Sequence, residues 1–154
     1  ALGNRSILAN PSNYQMVSKI NRAIKMRDFW MPFAPSIIAE DAEKYIISNN
    51  KTIKAPFMIL GFQTTELAKD HLSAGLHQSD FSCRPQLVEE NANPHYYDLI
   101  KKFREKTNIS GLLNTSFNIH GYPIVNDPQD ALWTFANSDL DAIQIEDYLV
   151  TRKP

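Results

Sequence analysis

The sequence predicts an α/β fold: a twisted, mixed sheet flanked by helices. In the C-terminal half, strand patterns and helix patterns alternate, as they do when helices cover a sheet. Two helices announce themselves by local chemistry, "NPHYYDLIKKFREKTN" with Asn93-Pro94 at its start and "DPQDALWTFANS" with Asp127-Pro128 at its start. Between them, "SGLLNTSF" is an apolar run of strand length. With 154 residues, 43% of them hydrophobic, the chain has the core of one domain, which we place over residues 1–154.

Taken in order, Pro11-Ser12 opens a helix over about 13–23, with Tyr14, Val17, Ile20 and Ile24 at spacings of three and four. In "IKMRDFWMPFAPSII", Pro32 and Pro35 deny a helix and favour extended chain. "DAEKYI" is a short helix, and the apolar "APFMILGFQ" reads as a buried strand. "ELAKDHLSAG" is either a helix or a surface loop, and "CRPQLV" a short strand. The helix from Asn93 gathers Tyr96, Leu99, Ile100 and Phe103 on one face. "DAIQIEDYLVTR" closes the chain as a strand.

Charge and composition exclude several functions. Net charge is −1, which argues against a broad nucleic-acid surface. The single cysteine, Cys83, allows no internal disulfide and no Cys-rich zinc site, and without a matching His signature it reads as a buried, inert thiol rather than a nucleophile. The four histidines show no zinc-ligand spacing, so we expect no metal site in this chain. No apolar run approaches the about 18 residues of a membrane span. The opening "ALGNRSILANP" has neither a signal-peptide pattern nor a starting Met, so we expect a cytoplasmic protein of which this is one piece, with a domain upstream. Neither GxxxxGK[ST] nor GxGxxG occurs, so any nucleotide must be held by side chains and other turns.

Three stretches carry candidate chemistry. In "GLLNTSFNIHGYP", strand alternation puts Asn114, Ser116 and Asn118 on one face and Leu113, Thr115 and Phe117 on the other. One side packs while the other offers amides and a hydroxyl to a ligand, or else merely caps the turn at Gly121 and Pro123. In "IKMRDFW", an extended chain would present Lys25 and Arg27 as a two-pronged cation suited to phosphate oxygens; two basic residues at this spacing are also common on solvated surfaces. Arg84, with Ser82 and Gln86 on the same strand face, is either a third phosphate cation or an ordinary ion-pair partner.

Together, "ALGNRSILANP", "INRAIKMRDFWMPFAPSI", "RPQLV", "NPHYYDLIKKF", "LLNTSFN" and "YPIVNDPQDALWTF…LDAIQIEDYLV" occur in an order that resembles the C-terminal domain of the O-carbamoyltransferases, a family that includes the nodulation-factor, cephamycin and tobramycin carbamoylating enzymes. The resemblance implies a YrdC-like fold and a site that makes carbamoyl-adenylate from carbamoyl phosphate and ATP, the ATP carried with Mg2+. It implies an iron-holding N-terminal domain in the same full-length chain, similar to the threonylcarbamoyl-transferring protein of tRNA modification, which moves the carbamoyl group to an acceptor hydroxyl. The KxR…SxN signature of YrdC-like domains matches Lys25-Met26-Arg27 and Ser116-Phe117-Asn118. Lys25, Arg27 and Ser116 are then the catalytic residues, and Arg5, Arg84, Asn114 and Asn118 bind substrate and nucleotide. The chain departs from the family at Met31, where many members carry Arg, and at Tyr122, commonly Glu; many members also have Gly-Pro-Arg before the opening Ala-Leu-Gly. Rival readings are a nucleotide- or RNA-binding module, since YrdC-like folds also contact tRNA, and a scaffold that only supports the upstream domain.

Overall fold

The computed structural model describes residues 2–26, 32–49 and 52–152. Among these, a mixed four-stranded sheet runs in the order β1 (Ser6–Ala9), β4 (Gly111–Ser116), β2 (Ala34–Ile38), β3 (Gln86–Val88). β4 is antiparallel to both β1 and β2, while β2 and β3 are parallel. The register sets Ser6 against Ser116, Ala34 against Asn114, and Ser36 against both Leu112 and Gln86.

Because successive strand residues alternate, this register sorts the sheet into two faces. Ile7, Leu113 and Ile37 share one. Its Ile7–Leu113 side packs on α1 (Gln15–Ile20) and α4 (Pro128–Ala136) through Val17, Ile20, Ala131 and Phe135. Its Ile37–Leu87 side packs on Tyr45, Ala68 and Leu72, around α2 (Glu66–His71). The other face carries Ile38, Val88 and Leu112 under Tyr96 and Ile100 of α3 (Pro94–Thr107). It also carries Ser6, Ser36, Gln86, Asn114 and Ser116, so its polar residues gather at one end, beyond the first turn of α3.

Both helices that the sequence announces start as their chemistry requires. Asn93 Oδ1 accepts from the Tyr96 N–H, Asp127 Oδ1 accepts from the Asp130 N–H, and a proline occupies the first turn of each helix. α3 ends at Asn108, whose φ of 63° suits an Asn in the left-handed region. On α3, Tyr96 and Ile100 are buried as expected, but Leu99 faces solvent. "ELAKDHLSAG" resolves into α2 and a 3-10 turn at Ser73–Gly75, and "DAEKYI" into a 3-10 helix over Ala39–Lys44.

Four expectations are corrected. The first helix is α-helical only over Gln15–Ile20, then widens into a π-helical turn over Asn21–Lys25, and Met26 closes it in the left-handed region (φ 47°). Lys25 is therefore helical, not extended; Arg27 and Met31 lie outside the described residues. "APFMILGFQ" is not a buried strand. It is a loop that leaves Phe57, Ile59 and Leu60 exposed, joined to the rest by a bridge at Phe62 with Cys83. The last segment is not one strand but a hairpin, β5 (Ala142–Ile145) and β6 (Tyr148–Thr151), turning at Glu146, which takes a φ of 51°. β1, with its short "SILA", was not expected as a strand and becomes one by pairing with β4.

Candidate active site

β4 brings the site together. Past Ser116 the chain leaves the sheet, and Phe117 stays tied on both sides: its N–H donates to the carbonyl of Arg5, just before β1, and its carbonyl accepts from the Val125 N–H. The turn that follows uses Gly121 at a φ of 80°, a conformation that favours glycine. Inside it the Asn118 amide donates to the carbonyls of Ile119 and Tyr122. That leaves Asn118 Oδ1 to accept from Ser116 Oγ at 2.6 Å and from Lys25 Nζ at 2.7 Å. Lys25 Nζ also donates to Ser116 Oγ at 3.0 Å.

The signature residues Lys25, Ser116 and Asn118 thus form one hydrogen-bonded cluster, although Lys25 and Ser116 are 91 residues apart in sequence. The π-helical turn makes this possible. It ends the helix with Lys25 directed back to the sheet, and the ammonium is almost wholly removed from solvent (2% exposed). A buried ammonium needs oxygen acceptors at close range, and Ser116 at the end of β4 and Asn118 just beyond it supply them.

Ser116 and Asn114 form part of the wall of a cleft of about 190 Å³, together with Leu2, Arg5, Ser6, Pro32, Ala34, Met58, Arg84, Thr115 and Ile124. Arg5 and Arg84 are both exposed at its edge. Arg5 Nη1 donates to the Val125 carbonyl at 2.9 Å, which holds its guanidinium beside the cleft. Arg84 precedes β3 rather than lying in it, and makes no ion pair among the described residues. Among the described residues, those that line the cleft carry two guanidinium groups and no carboxylate, which gives this part of its surface a positive potential.

Asn114 sits deeper than the sequence suggests. Its side chain is buried, and Nδ2 meets Ser36 Oγ at 2.9 Å, Tyr96 Oη at 3.1 Å and Gln86 Oε1 at 3.4 Å. Ser36 and Tyr96 were not among the sequence candidates. The polar alternation of β2 with β3 could have pointed to Ser36; nothing could have singled out Tyr96, which looks like any core residue of α3. Burial raises the Tyr96 phenol to about 12, so it stays protonated at neutral pH.

Cys83 is buried, and burial pushes its thiol up to about 12, which leaves no thiolate for nucleophilic chemistry. Among the described residues no helix is long and apolar enough to cross a membrane.

The chain is 44% identical over 153 residues to an uncharacterized protein of Methanocaldococcus jannaschii, covering 99% of this chain and 24% of that one. It is 39% identical over 154 residues to the nodulation protein NolO of Bradyrhizobium diazoefficiens, covering 100% of this chain and 28% of the relative. Against the nodulation protein NolNO of Sinorhizobium fredii, identity is 39% over 153 residues, 99% of this chain and 22% of the relative. The chain spans about a quarter of the length of these relatives. A family described as the carbamoyltransferase C-terminus matches residues 1–152, both the sheet that carries the cleft and the helices that cover it, and the chain belongs to that family.

Proposed function

We propose that this chain is a YrdC-like domain, the carbamoyl-activating part of a longer O-carbamoyltransferase. It binds ATP and carbamoyl phosphate, forms carbamoyl-adenylate, and passes the carbamoyl group to an upstream domain that transfers it to an acceptor hydroxyl. The observation that carries this reading is the meeting of cations with neutral hydrogen-bonding groups: Arg5 and Arg84 edge the cleft, Asn114 and Ser116 line it, and Lys25 stands behind Ser116. Family membership supplies the carbamoyl chemistry.

In this mechanism water splits carbamoyl phosphate into carbamate and orthophosphate. A carbamate oxygen then attacks the α-phosphorus of ATP. The new P–O bond forms as the bond to the bridging oxygen breaks, and pyrophosphate leaves with the electron pair. Negative charge moves from carbamate to pyrophosphate, so fixed donors around the phosphates favour the transition state. Arg5 and Arg84 give forked contacts at the edge; Lys25, through Ser116 and Asn118, adds a fixed positive charge at the strand end. Arg27 completes the KxR pair as a further phosphate ligand. Mg2+ travels with the ATP phosphates, and iron belongs to the upstream domain. About 190 Å³ is too little for a whole nucleotide, so the cleft holds the reacting groups and the rest of ATP lies outside it.

The test is exchange of labelled pyrophosphate into ATP by the full-length protein, with and without carbamoyl phosphate. We expect label in ATP only when carbamoyl phosphate is present, and a loss of at least about tenfold for Ser116→Ala. Exchange absent under both conditions, in a folded protein, would remove adenylation from this domain.

A further inference from the structure

The Asn114 carboxamide is matched at one end only. Its nitrogen is engaged by Ser36, Tyr96 and Gln86, while Oδ1 has no hydrogen-bond partner among the described residues, although Asn114 is only 2% exposed. Buried carbonyl oxygens are seldom left so, because the lost hydrogen bond to water is not replaced.

The orientation of the amide follows from its neighbours. The Ser36 hydroxyl gives its proton to Gln86 Oε1 at 2.9 Å, so toward Asn114 it can only accept. That places the nitrogen inward, on the α3 side of the sheet. The oxygen, on the other arm of a planar group, is turned away from this network, and the other surface that Asn114 borders is the cleft. Tyr96 holds the arrangement rigidly. Its ring lies so close to Gly3 that a Cβ there would come within 2.3 Å of it.

We propose that Asn114 Oδ1 accepts a hydrogen bond from the amino group of the carbamoyl moiety, and so makes this cleft selective for carbamoyl phosphate over acyl phosphates of the same size. The inference rests on the reading above that carbamoyl phosphate is a substrate. Carbamoyl phosphate has an anionic end and a single hydrogen-bond donor, its amino group. The cleft offers the complement: guanidinium groups at its edge and, among the described residues that line it, a buried side-chain acceptor without a partner, Asn114 Oδ1. Acetyl phosphate replaces that amino group by a methyl, which would leave Oδ1 buried and unpaired; sites built to hydrogen-bond a substrate N–H reject such analogues strongly. Tyr96 is a positioning residue, acting through the amide nitrogen.

The experiment titrates carbamoyl phosphate and acetyl phosphate, by calorimetry, into the full-length protein and its Asn114→Leu and Tyr96→Phe variants. We expect the wild type to prefer carbamoyl phosphate by at least about tenfold. Asn114→Leu should bring the preference close to one while acetyl phosphate affinity stays within about threefold. Tyr96→Phe, which removes a hydroxyl and no packing, should lower the preference severalfold with cooperative unfolding retained; it decides the matter if Asn114→Leu does not fold. Equal binding of the two phosphates by the wild type, or a preference untouched by both variants, overturns this inference and leaves carbamoyl phosphate as a substrate. A wild type that binds neither phosphate overturns the substrate reading itself, and this inference with it.

Discussion

Asp41, far from the cleft, shows how a single side chain can bind distant elements together. It lies in the 3-10 helix after β2 and receives Lys44 Nζ at 2.7 Å, Ser110 Oγ at 2.5 Å and Arg104 Nη1 at 2.9 Å, the last from the end of α3. Burial pushes its carboxyl up, but the hydrogen bonds from Lys44, Ser110 and Arg104 outweigh it and hold the pKa at about 2, below the ordinary 3.8. The folded state therefore favours the carboxylate. Its stabilisation is fully present above the unfolded value of 3.8 and is lost as pH falls through that value toward about 2. At neutral pH it amounts to about 2 kcal/mol. Urea unfolding of the wild type and Asp41→Asn should show a gap of about that size near pH 7, narrowing between about pH 5 and pH 3. A gap that does not change with pH would mean that packing, not charge, gives Asp41 its role. Lys25 tells the same lesson from the opposite charge: as a buried ammonium with fixed oxygen partners, it is part of the fold as well as of the proposed site.

Among the elements, the seam between β2 and β4 positions the cleft, because it sets Ala34 opposite Asn114. Gly111 opens β4 opposite Ile37, and a Cβ there would stand 2.9 Å from the Ser36 carbonyl oxygen. Backbone cannot yield as a side-chain tip can. Gly111→Ala should therefore push the two strands apart at this end and destabilise the protein by about 1–3 kcal/mol, the usual cost of overpacking. Because Ser36 is Asn114's partner, carbamoyl phosphate affinity should fall as well. Thermal unfolding and calorimetry together check this; unchanged stability would show that the strand end relaxes freely.

For the molecule as a whole, a net charge of −1 leaves no field to draw a polyanion, while Arg5 and Arg84 concentrate positive charge at one small opening. A protein that binds RNA through many phosphates needs a corresponding surplus of cations and loses affinity steeply with salt. We expect no saturable binding of a tRNA-sized RNA at about 150 mM salt, measured by fluorescence anisotropy. Saturable binding there would favour an RNA-binding module over a small-molecule site. Exposed apolar side chains include Phe57, Ile59 and Leu60, in the loop whose Met58 lines the cleft, and Tyr148 and Leu149 along β6.

What the sequence determined by itself is what local chemistry determines. Asn93-Pro94 and Asp127-Pro128 cap their own helices, and the alternation in "LLNTS" alone separates Leu113 from Asn114. Together with the quoted blocks, this was enough to read a mixed α/β fold and the carbamoyltransferase family. What only the tertiary structure decided depends on partners distant in the chain. "SILA" is a strand because β4 offers its edge, and "APFMILGFQ" is a loop because among the described residues it is paired only near its two ends, as at Ala55 and Phe62, though its composition suits a core. The terminal hairpin turns at Glu146-Asp147, a pair without the glycine that usually marks such turns. Lys25 and Ser116 meet only because a π-helical turn returns the lysine to the end of β4. The orientation of the Asn114 amide was the least legible of all, since Ser36, Gln86 and Tyr96 fix it from three separate elements, and a hydrogen bond across a sheet leaves no periodic mark on the chain.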